Sequence, residues 1–199
     1  MAEAERWEER YRKGDIPWDT GHPSTELQRV VQEENLQPCR AIELGCGTGT
    51  NAVWLAQQGF DVTAVDLSSL AINQAKARAA QAGVSVHFIT GDVLELPDLG
   101  GPFEFFFDRG CYHVVRRVDV ERFLGTLANI TKPGTRGLIL AGNAREPHDP
   151  GPPIVQENEL RAELGRIFNI LWLREFRFDQ SDQTGVRFLG WSCFVNRSA

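Results

Sequence analysis

The sequence predicts an α/β fold: a seven-stranded, mostly parallel sheet with helices on both faces and an antiparallel pair of strands at the C-terminal end. Three observations predict it. Apolar runs of strand length alternate with amphipathic runs of helix length, which is typical of a parallel sheet. Acidic residues stand at the ends of the first three apolar runs, where such sheets bind ligands. The last two apolar runs are joined by a polar linker without a helix, which indicates an antiparallel pair.

The elements of the core follow from the same patterns, taken in chain order. Runs rich in Val, Ile and Phe predict strands, and Ala and Leu spaced on one face predict helices. Gly83 ends the second core helix. The predicted elements are strand 40–44 (RAIEL), helix 50–58, strand 61–66 (DVTAVD), helix 69–83, strands 84–90 (VSVHFIT), 103–108 (FEFFFD) and 136–142 (RGLILAG), helix 157–168, and strands 169–178 and 186–197.

The N-terminal stretch MAEAERWEERYRKGD is charged and helical in character. We interpret residues 1–36 as a helical lid or cap and residues 37–199 as the core that it covers. A chain of 199 residues fits one domain, so we expect 1–199 to form a single unit.

Composition and charge argue against several classes of function. The net charge is −6 and there is no basic block, so nucleic acid is not an expected partner. No apolar run approaches the ~20 residues of a membrane span, and the N-terminus lacks the apolar core of a secretion signal. The four cysteines are scattered without a C-x-x-C pair. We therefore expect no metal, no disulfide framework, no membrane partner and a cytoplasmic location.

A glycine loop follows the first predicted strand of what would be a Rossmann-like sheet. Gly45, Gly47 and Gly49 form G-x-G-x-G, which lets the backbone turn sharply and lets a ligand approach closely. Nicotinamide-dependent enzymes also use such a turn, but their pyrophosphate sites carry G-x-G-x-x-G, and here the sixth position is Thr50. Glu43 just before the loop would repel phosphate. It suits a ligand with a sulfonium and an ammonium group, which predicts S-adenosylmethionine, with S-adenosylhomocysteine as the product.

Two further acids follow the second and third strands. Asp66, with Leu67 beside it, can accept hydrogen bonds from both ribose hydroxyls, each worth about 1.5–3 kcal/mol. Asp92 can accept from the adenine amine while the backbone of Val93 donates to the ring. The alternative is that Asp66 caps the helix at Ser68 and that Asp92 caps a turn. Three acids at three successive strand ends favour ligand binding.

These motifs carry a family resemblance that covers nearly the whole chain. ELGCGTG, VDLS, GDVLEL and FFFDRGCYHVV resemble the class I S-adenosylmethionine-dependent methyltransferases. WEERYRKGDIPWDTGHPSTEL, DRG and HDPGPPIVQENELRAELGRIFNILWLREF are similar to the thiopurine, thiol and halide methyltransferase group. The resemblance implies that the W-x3-[WY] segment, the aromatic near Trp18 and Arg109 contact the cofactor.

The N-terminal aromatic residues also have a physical interpretation. Trp7 and Tyr11 are four residues apart and share a helix face. With Trp18 they could present ring faces to the sulfonium, a contact worth about 0.5–2 kcal/mol. The alternative is that they pin the helix to the core. Asp19 and His22 lie on the same loop and are candidates to face the substrate, as is Trp18.

The turn after strand four is where the transferring methyl is expected. The N/D-P-P-Y/F turn of many amide and adenine methyltransferases is absent there. Arg109 could bind the carboxylate of the cofactor by a bidentate fork, contact an anionic substrate, or pair with Asp108 as scaffold, and with Asp108 it is a candidate catalytic residue. Asp108 and His113 are candidate proton acceptors, and Cys111 and His113 are candidates for the substrate pocket or for structural filling.

The proline-rich loop 142–153 follows strand five. Its position suits a lid over the substrate, with Pro152 in contact, and the alternative is a surface connection without chemistry. His148 could line the pocket or face solvent, and His87 in strand three is interpreted as structural.

The predicted function is methyl transfer to a small soft nucleophile, a thiol or thiopurine sulfur, by a monomeric enzyme. Thiols need little or no general base because a few per cent are ionised at neutral pH. Halide, tellurite, selenium species and small hydroxyl or amine compounds stay open as acceptors. A nicotinamide-dependent reductase would carry glycine at position 50 and usually a Tyr-x-x-x-Lys pair, and the sequence has neither. A non-catalytic cofactor-binding protein is the third class.

Overall fold

The computed structural model describes residues 3–149, 151–179 and 185–199. Its strands are β1 Arg40–Leu44, β2 Asp61–Asp66, β3 His87–Thr90, β4 Phe103–Arg109, β5 Thr131–Asn143, β6 Ile154–Val155, β7 Phe168–Arg177 and β8 Leu189–Arg197. The main path of the sheet is β3-β2-β1-β4-β5-β8-β7, with β8 antiparallel to both of its neighbours and the other pairs parallel. The predicted seven-stranded sheet is confirmed. The structure adds β6, a two-residue strand parallel to β5.

Six helices surround this sheet in the described residues. They are α1 Glu3–Lys13, α2 Thr25–Glu33, α3 Thr50–Gln57, α4 Ser69–Ala82, α5 Tyr112–Ile130 and α6 Glu157–Leu164. The first two lie within the predicted helical cap, whereas α5 was not predicted. Its helical dihedrals are interrupted at Asp119, whose carboxylate accepts a hydrogen bond from the amide of Arg122 at 2.9 Å. The second half of α5 therefore begins with its own N-cap, which breaks the apolar period along this segment.

The two faces of the sheet bury separate apolar clusters, and β4 contributes to both. Phe106 packs with the side chains of α5 and α6, while Phe105 and Phe107 pack with those of α2, α3 and α4. This alternation is the two-residue period of a strand that is buried on both faces. Helices therefore cover both faces of the sheet, as predicted.

Some boundaries differ from the prediction. Strand β3 begins at His87, three residues later than predicted, and His87 itself is exposed. Helix α6 ends at Leu164 because Gly165 caps it and β7 begins at Phe168. The polar linker predicted between the last two strands includes residues 180–184, which lie outside the described residues.

Two features of the described residues bear on membrane and metal partners. Across residues 3–149, 151–179 and 185–199, no helix combines the length and the apolar character that a bilayer crossing requires. In the same part of the chain, no group of three or more His, Cys, Asp or Glu side chains is arranged to hold a metal ion.

The strand order reverses between β1 and β4, which are direct neighbours in the sheet. From β1 the chain moves outward to β2 and β3, and from β4 it moves the other way to β5. Loops that leave neighbouring strands in opposite directions open a crevice at the carboxyl ends of those strands. The glycine loop after β1 and the Arg109–Gly110 turn after β4 flank this crevice.

Candidate active site

The glycine loop packs closely against its surroundings. Gly47 has φ 55°, and a Cβ there would stand 3.0 Å from the hydroxyl of Tyr11. A Cβ on Gly45 would stand 2.7 Å from the Cβ of Cys111, which begins the turn into α5. The loop therefore needs glycine both for its left-handed backbone and for the close approach of α1 and the β4 turn.

Asp66 ties the glycine loop to the end of β2. One carboxylate oxygen accepts from the amide of Gly47 at 2.8 Å, and the other accepts from the amide of Ser68 at 2.9 Å. Ser68 itself is the N-cap of α4, so the capping role belongs to Ser68 and not to Asp66. Burial raises the pKa of Asp66, because few solvent dipoles are left to stabilise its charge. Each oxygen keeps a free lone pair for a further donor.

Glu43 is almost completely buried, at 1% exposure. Its Oε1 accepts from the side-chain amide of Asn51 at 3.0 Å. Among the described residues, its Oε2 has no hydrogen-bond partner. Burial raises the pKa of Glu43 to about 8, although the hydrogen bond from Asn51 and the charge of Arg109 act in the opposite direction. An uncompensated buried acceptor of this kind favours a cationic or hydrogen-bond-donating ligand.

Three aromatic side chains of the N-terminal segment meet above the glycine loop. The ring centroids of Trp7 and Trp18 are 5.4 Å apart, and those of Tyr11 and Trp18 are 6.1 Å apart, both edge to face. Tyr11 is buried, and desolvation together with the charge of Asp66 raises its pKa. The structure therefore brings together the three predicted aromatics and places one of them against Gly47.

One polar contact that the sequence analysis missed holds α1 in place. The carboxylate of Glu8 accepts from the hydroxyl of Ser68 at 2.6 Å and from that of Ser69 at 2.8 Å. These bonds lower the pKa of Glu8, chiefly through Ser68. An acid beside the amino end of α4 is also stabilised by the helix dipole.

A second missed contact holds the loop after α1. Thr48 donates to Asp19 at 2.6 Å, and Arg78 on α4 donates to the carbonyl of Thr48 at 3.0 Å and to its hydroxyl oxygen at 3.3 Å. The same guanidinium also donates to the carbonyl of Gly21 at 3.5 Å. Asp19 therefore binds the glycine loop, while His22 on the same loop is exposed. Nothing in the spacing of Arg78 within its helix indicates this role.

Arg109 lies where the N-terminal loop meets the end of β4. It donates to the carbonyl of Trp18 at 2.8 Å, and its guanidinium lies 5.3 Å from the centroid of Phe178. Burial lowers the pKa of Arg109, while the charges of Asp179, Glu43 and Asp19 raise it. None of the described ion pairs joins Arg109 to Asp108, so the scaffold pairing considered from the sequence is absent there.

Asp108 and His113 are both engaged by backbone amides. The carboxylate of Asp108 accepts from the amides of Cys111 and Tyr112 at 2.9–3.1 Å, and it is fully buried. Its burial raises the pKa to about 7. His113 accepts from the amide of Gly142 at 3.0 Å through Nδ1. These two side chains stabilise the β4–α5 and β5 ends, and the atoms named here already accept hydrogen bonds from the backbone.

Asp92 and Val93 follow β3 as predicted. Asp92 is partly buried and accepts from the amide of Leu94 at 2.8 Å, which is the turn-capping contact considered as an alternative. The carbonyl of Val93 accepts from the hydroxyl of Thr126 on α5, and its side chain is buried. The second oxygen of Asp92 remains available to a ligand.

The loop after β5 lies beside α5 and forms a cleft of about 560 Å³ with it. Pro152 and His148 both line this cleft, and Arg116 and Arg117 face them from α5. His148 is exposed and contacts Glu146 at 3.1 Å. Pro150 of the predicted lid lies outside the described residues.

The sheet order, the glycine loop and the acids around the crevice define the protein as a small-molecule methyltransferase that depends on S-adenosylmethionine. A family model described as thiopurine S-methyltransferase matches residues 2–194, and the chain belongs to that family. The family and cofactor expected from the sequence are thereby confirmed.

Similar proteins include two named methyltransferases and a solved structure. A thiopurine S-methyltransferase of Bordetella petrii is 29% identical over 176 residues, which cover 80% of each chain. A 2-heptyl-1-hydroxyquinolin-4(1H)-one methyltransferase of Mycobacteroides abscessus is 26% identical over 157 residues, covering 77% of this chain and 69% of that protein. A solved structure reported for conversion of a disulfide bond into a thioacetal group during echinomycin biosynthesis has a TM-score of 0.84 and 23% identity, and the match covers 99% of this chain and 93% of that one. This last similarity concerns the fold alone.

Proposed function

We propose that this protein transfers the methyl group of S-adenosylmethionine to the sulfur of a small thiol or thiopurine. One observation carries the proposal: the two candidate proton acceptors after β4 are already engaged. Asp108 accepts from backbone amides of α5, and the Nδ1 atom of His113 accepts from Gly142. A site whose candidate bases are both held by backbone hydrogen bonds suits a nucleophile that is partly ionised at neutral pH, as thiols are.

The residues around the crevice fit the cofactor. The unpartnered Oε2 of Glu43 and the rings of Trp7, Tyr11 and Trp18 suit a ligand with cationic centres. Asp66 offers two acceptor oxygens for a ribose diol. When bound, S-adenosylmethionine supplies a methyl group that is already activated on its sulfonium sulfur.

We assign roles to the remaining candidates on the same basis. Gly45 and Gly47 allow close approach, Leu67 lies beside the ribose, and Asp92 with the backbone of Val93 binds adenine. Arg109 binds the carboxylate of the cofactor. Substrate lies near Trp18, Cys111, His113 and Pro152, while the exposure of His22 gives it the weakest support of the set.

In this mechanism the chain acts by orientation and exclusion of water. The N-terminal segment covers the crevice, and alignment of donor and nucleophile can supply roughly 7–11 kcal/mol of the barrier. Halide, metalloid, hydroxyl and amine acceptors are the alternatives within the same chemistry. Monomeric state, cytoplasmic location and the absence of nucleic-acid or membrane partners stay predictions.

A panel of acceptors with labelled methyl donor tests the proposal. It would include thiophenol, 6-mercaptopurine, iodide, tellurite and a phenol, with products read by mass spectrometry. We expect the two sulfur compounds to be methylated with the largest kcat/KM. Faster methylation of the phenol, iodide or tellurite would replace the sulfur acceptor with that class.

A further inference from the structure

His113 joins the ends of two neighbouring strands. It lies in the first turn of α5, just after β4, and its Nδ1 accepts from the amide of Gly142 at the end of β5 at 3.0 Å. The side chain is 7% exposed. A neutral imidazole that accepts at Nδ1 must carry its proton on Nε2. The contact with Gly142 therefore fixes His113 as a hydrogen-bond donor at Nε2.

Gly110 packs against the Nε2 edge of this ring. A Cβ at position 110 would stand 3.2 Å from Nε2 and 3.3 Å from Cε1. Gly110 also has φ 85°, which any side chain would strain. Glycine therefore allows the β4 turn, where the acceptor is proposed to lie, to approach Nε2 closely. Among the described residues, the hydrogen bond of His113 is at Nδ1, and Nε2 keeps its donor for a ligand.

The charges around His113 keep it neutral. Burial, together with the charges of the Arg109 and Arg117 guanidinium groups, lowers its pKa to about 3. Asp108, the acid nearest in sequence, has its carboxylate turned to the amides of Cys111 and Tyr112. The ring therefore stays a neutral donor over the working pH range and lies in a positive field.

The face of α5 that carries His113 continues to the cleft. Arg117 lies four residues further on, and residues four apart share a helix face. Arg117 lines the cleft below the 144–156 segment, and in the described part of the chain no ion pair or hydrogen bond engages its guanidinium. Its charge is thus available to an anion that enters from that side.

We propose that His113 is a catalytic hydrogen-bond donor that binds the acceptor sulfur through Nε2 and selects its thiolate form, with Arg117 supporting the negative charge. This inference rests on the proposed function, because it concerns the ionisation state of the sulfur acceptor. The acceptor proton passes to solvent as the thiolate binds. Transfer then forms a bond from the thiolate sulfur to the methyl carbon, while the bond from that carbon to the donor sulfur breaks and leaves its electron pair on the donor. No proton moves in this step, and His113 keeps its proton throughout.

The test uses the full chain with S-adenosylhomocysteine, so that it does not depend on turnover. Thiophenol is bound to this complex and titrated by ultraviolet absorbance, since thiolate and thiol absorb differently. For the unaltered protein we expect the bound thiol to titrate about one pH unit below free thiophenol, because a hydrogen bond to a charged group contributes this much. In His113→Leu the bound thiol should titrate within about 0.3 units of free thiophenol.

Two further variants make the result specific. His113→Gln retains a donor at about the reach of Nε2 and should keep part of the shift. His87→Leu, the same change at an exposed histidine of β3, should titrate like the unaltered protein. Unchanged affinity for S-adenosylhomocysteine shows that each variant is folded, and if His113→Leu fails this check the comparison rests on His113→Gln.

The outcomes separate the two claims. A bound thiol pKa that is the same in His113→Leu and the unaltered protein would overturn the role of His113, while methylation of thiophenol would leave the proposed function standing. A lowered thiol pKa without any methylation of thiophenol would support the role of His113 and overturn the proposed function. If His113→Leu lowered kcat equally at every pH and left the pKa of the bound thiol unchanged, His113 would be a structural residue.

Discussion

Glu8 of helix α1 accepts a 2.6 Å hydrogen bond from the hydroxyl of Ser68, the N-cap residue of α4. The amide of Ser68 donates to Asp66 at 2.9 Å. One serine therefore links the N-terminal helix to the acid at the end of β2. This link connects the position of the N-terminal segment to the proposed ribose contact.

Replacing Glu8 should loosen the N-terminal segment. Glu8→Gln removes a charged acceptor beside a helix N-terminus, and contacts of this kind contribute about 1 kcal/mol. We expect about fivefold weaker binding of S-adenosylhomocysteine by calorimetry and faster trypsin cleavage within α1. Glu9→Gln is the matched control, because the partners of Glu9 are Arg12 and Lys13 of the same helix. Equal affinity in both variants would show that this contact does not hold the segment over the cofactor.

Replacing Asp66 should weaken the cofactor site directly. Asp66→Ala removes acceptors for the ribose hydroxyls and for the amide of Gly47, so binding of S-adenosylmethionine should weaken by more than about tenfold. Asp61→Ala, at the opposite and exposed end of the same strand, serves as the control. Isothermal titration calorimetry measures the affinity of both variants for S-adenosylmethionine. An unchanged affinity in Asp66→Ala would show that Asp66 does not bind the ribose.

Glu43 should make the cofactor-free protein less stable as pH rises. Its pKa of about 8 means that the folded state keeps a proton that the unfolded state releases above the ordinary value of 4.5. Between these values the folded state binds more protons, so the free energy of unfolding falls with increasing pH. In Glu43→Gln the free energy of unfolding should depend less steeply on pH between about pH 5 and 8. The decrease in slope should correspond to up to about one bound proton. Thermal unfolding at several pH values measures it. Parallel curves would contradict the buried protonated state.

The same group should release a proton when the cofactor binds. Cationic centres placed near Glu43 favour its carboxylate form and lower its pKa. Calorimetric titration with S-adenosylmethionine at about pH 7, in buffers of different ionisation enthalpy, should show proton release that Glu43→Gln largely abolishes. Identical release in the variant would assign the proton to another group, such as Asp108, whose pKa is about 7.

Arg78 should act through the two loops that it joins. Arg78→Ala removes its donors to Thr48 and Gly21, and with them the support of the Thr48–Asp19 contact. We expect S-adenosylmethionine and S-adenosylhomocysteine to bind about three- to tenfold more weakly, and to a similar degree, since their shared adenosine part is affected. Arg166→Ala, which breaks an exposed ion pair with Glu121, is the control. A lowered unfolding temperature with unchanged affinities would show Arg78 to be scaffold only.

Local patterns in the sequence were sufficient to predict most of the strands and helices of the core. Strand β4 is the clearest case, because its phenylalanines alternate between two apolar clusters and so mark a strand covered on both sides. Helix α5 was missed because Asp119 interrupts its dihedrals and divides its apolar period into two short pieces. Strand β6 was missed because two residues carry no period, and only pairing with Gly142 and Asn143 defines it.

The sequence by itself determined the sheet, the glycine loop, the acids at the strand ends and the aromatic segment, because these depend on side-chain types at fixed local spacing. Only the tertiary structure decided which partners each polar group has. Glu8 meets Ser68 across 60 residues, and Nδ1 of His113 meets the amide of Gly142 across 29. Contacts between distant segments follow from how helices pack on the sheet, and no local period records them. Since a side chain acts as base, donor or cap according to its partners, its chemistry here is settled by the fold.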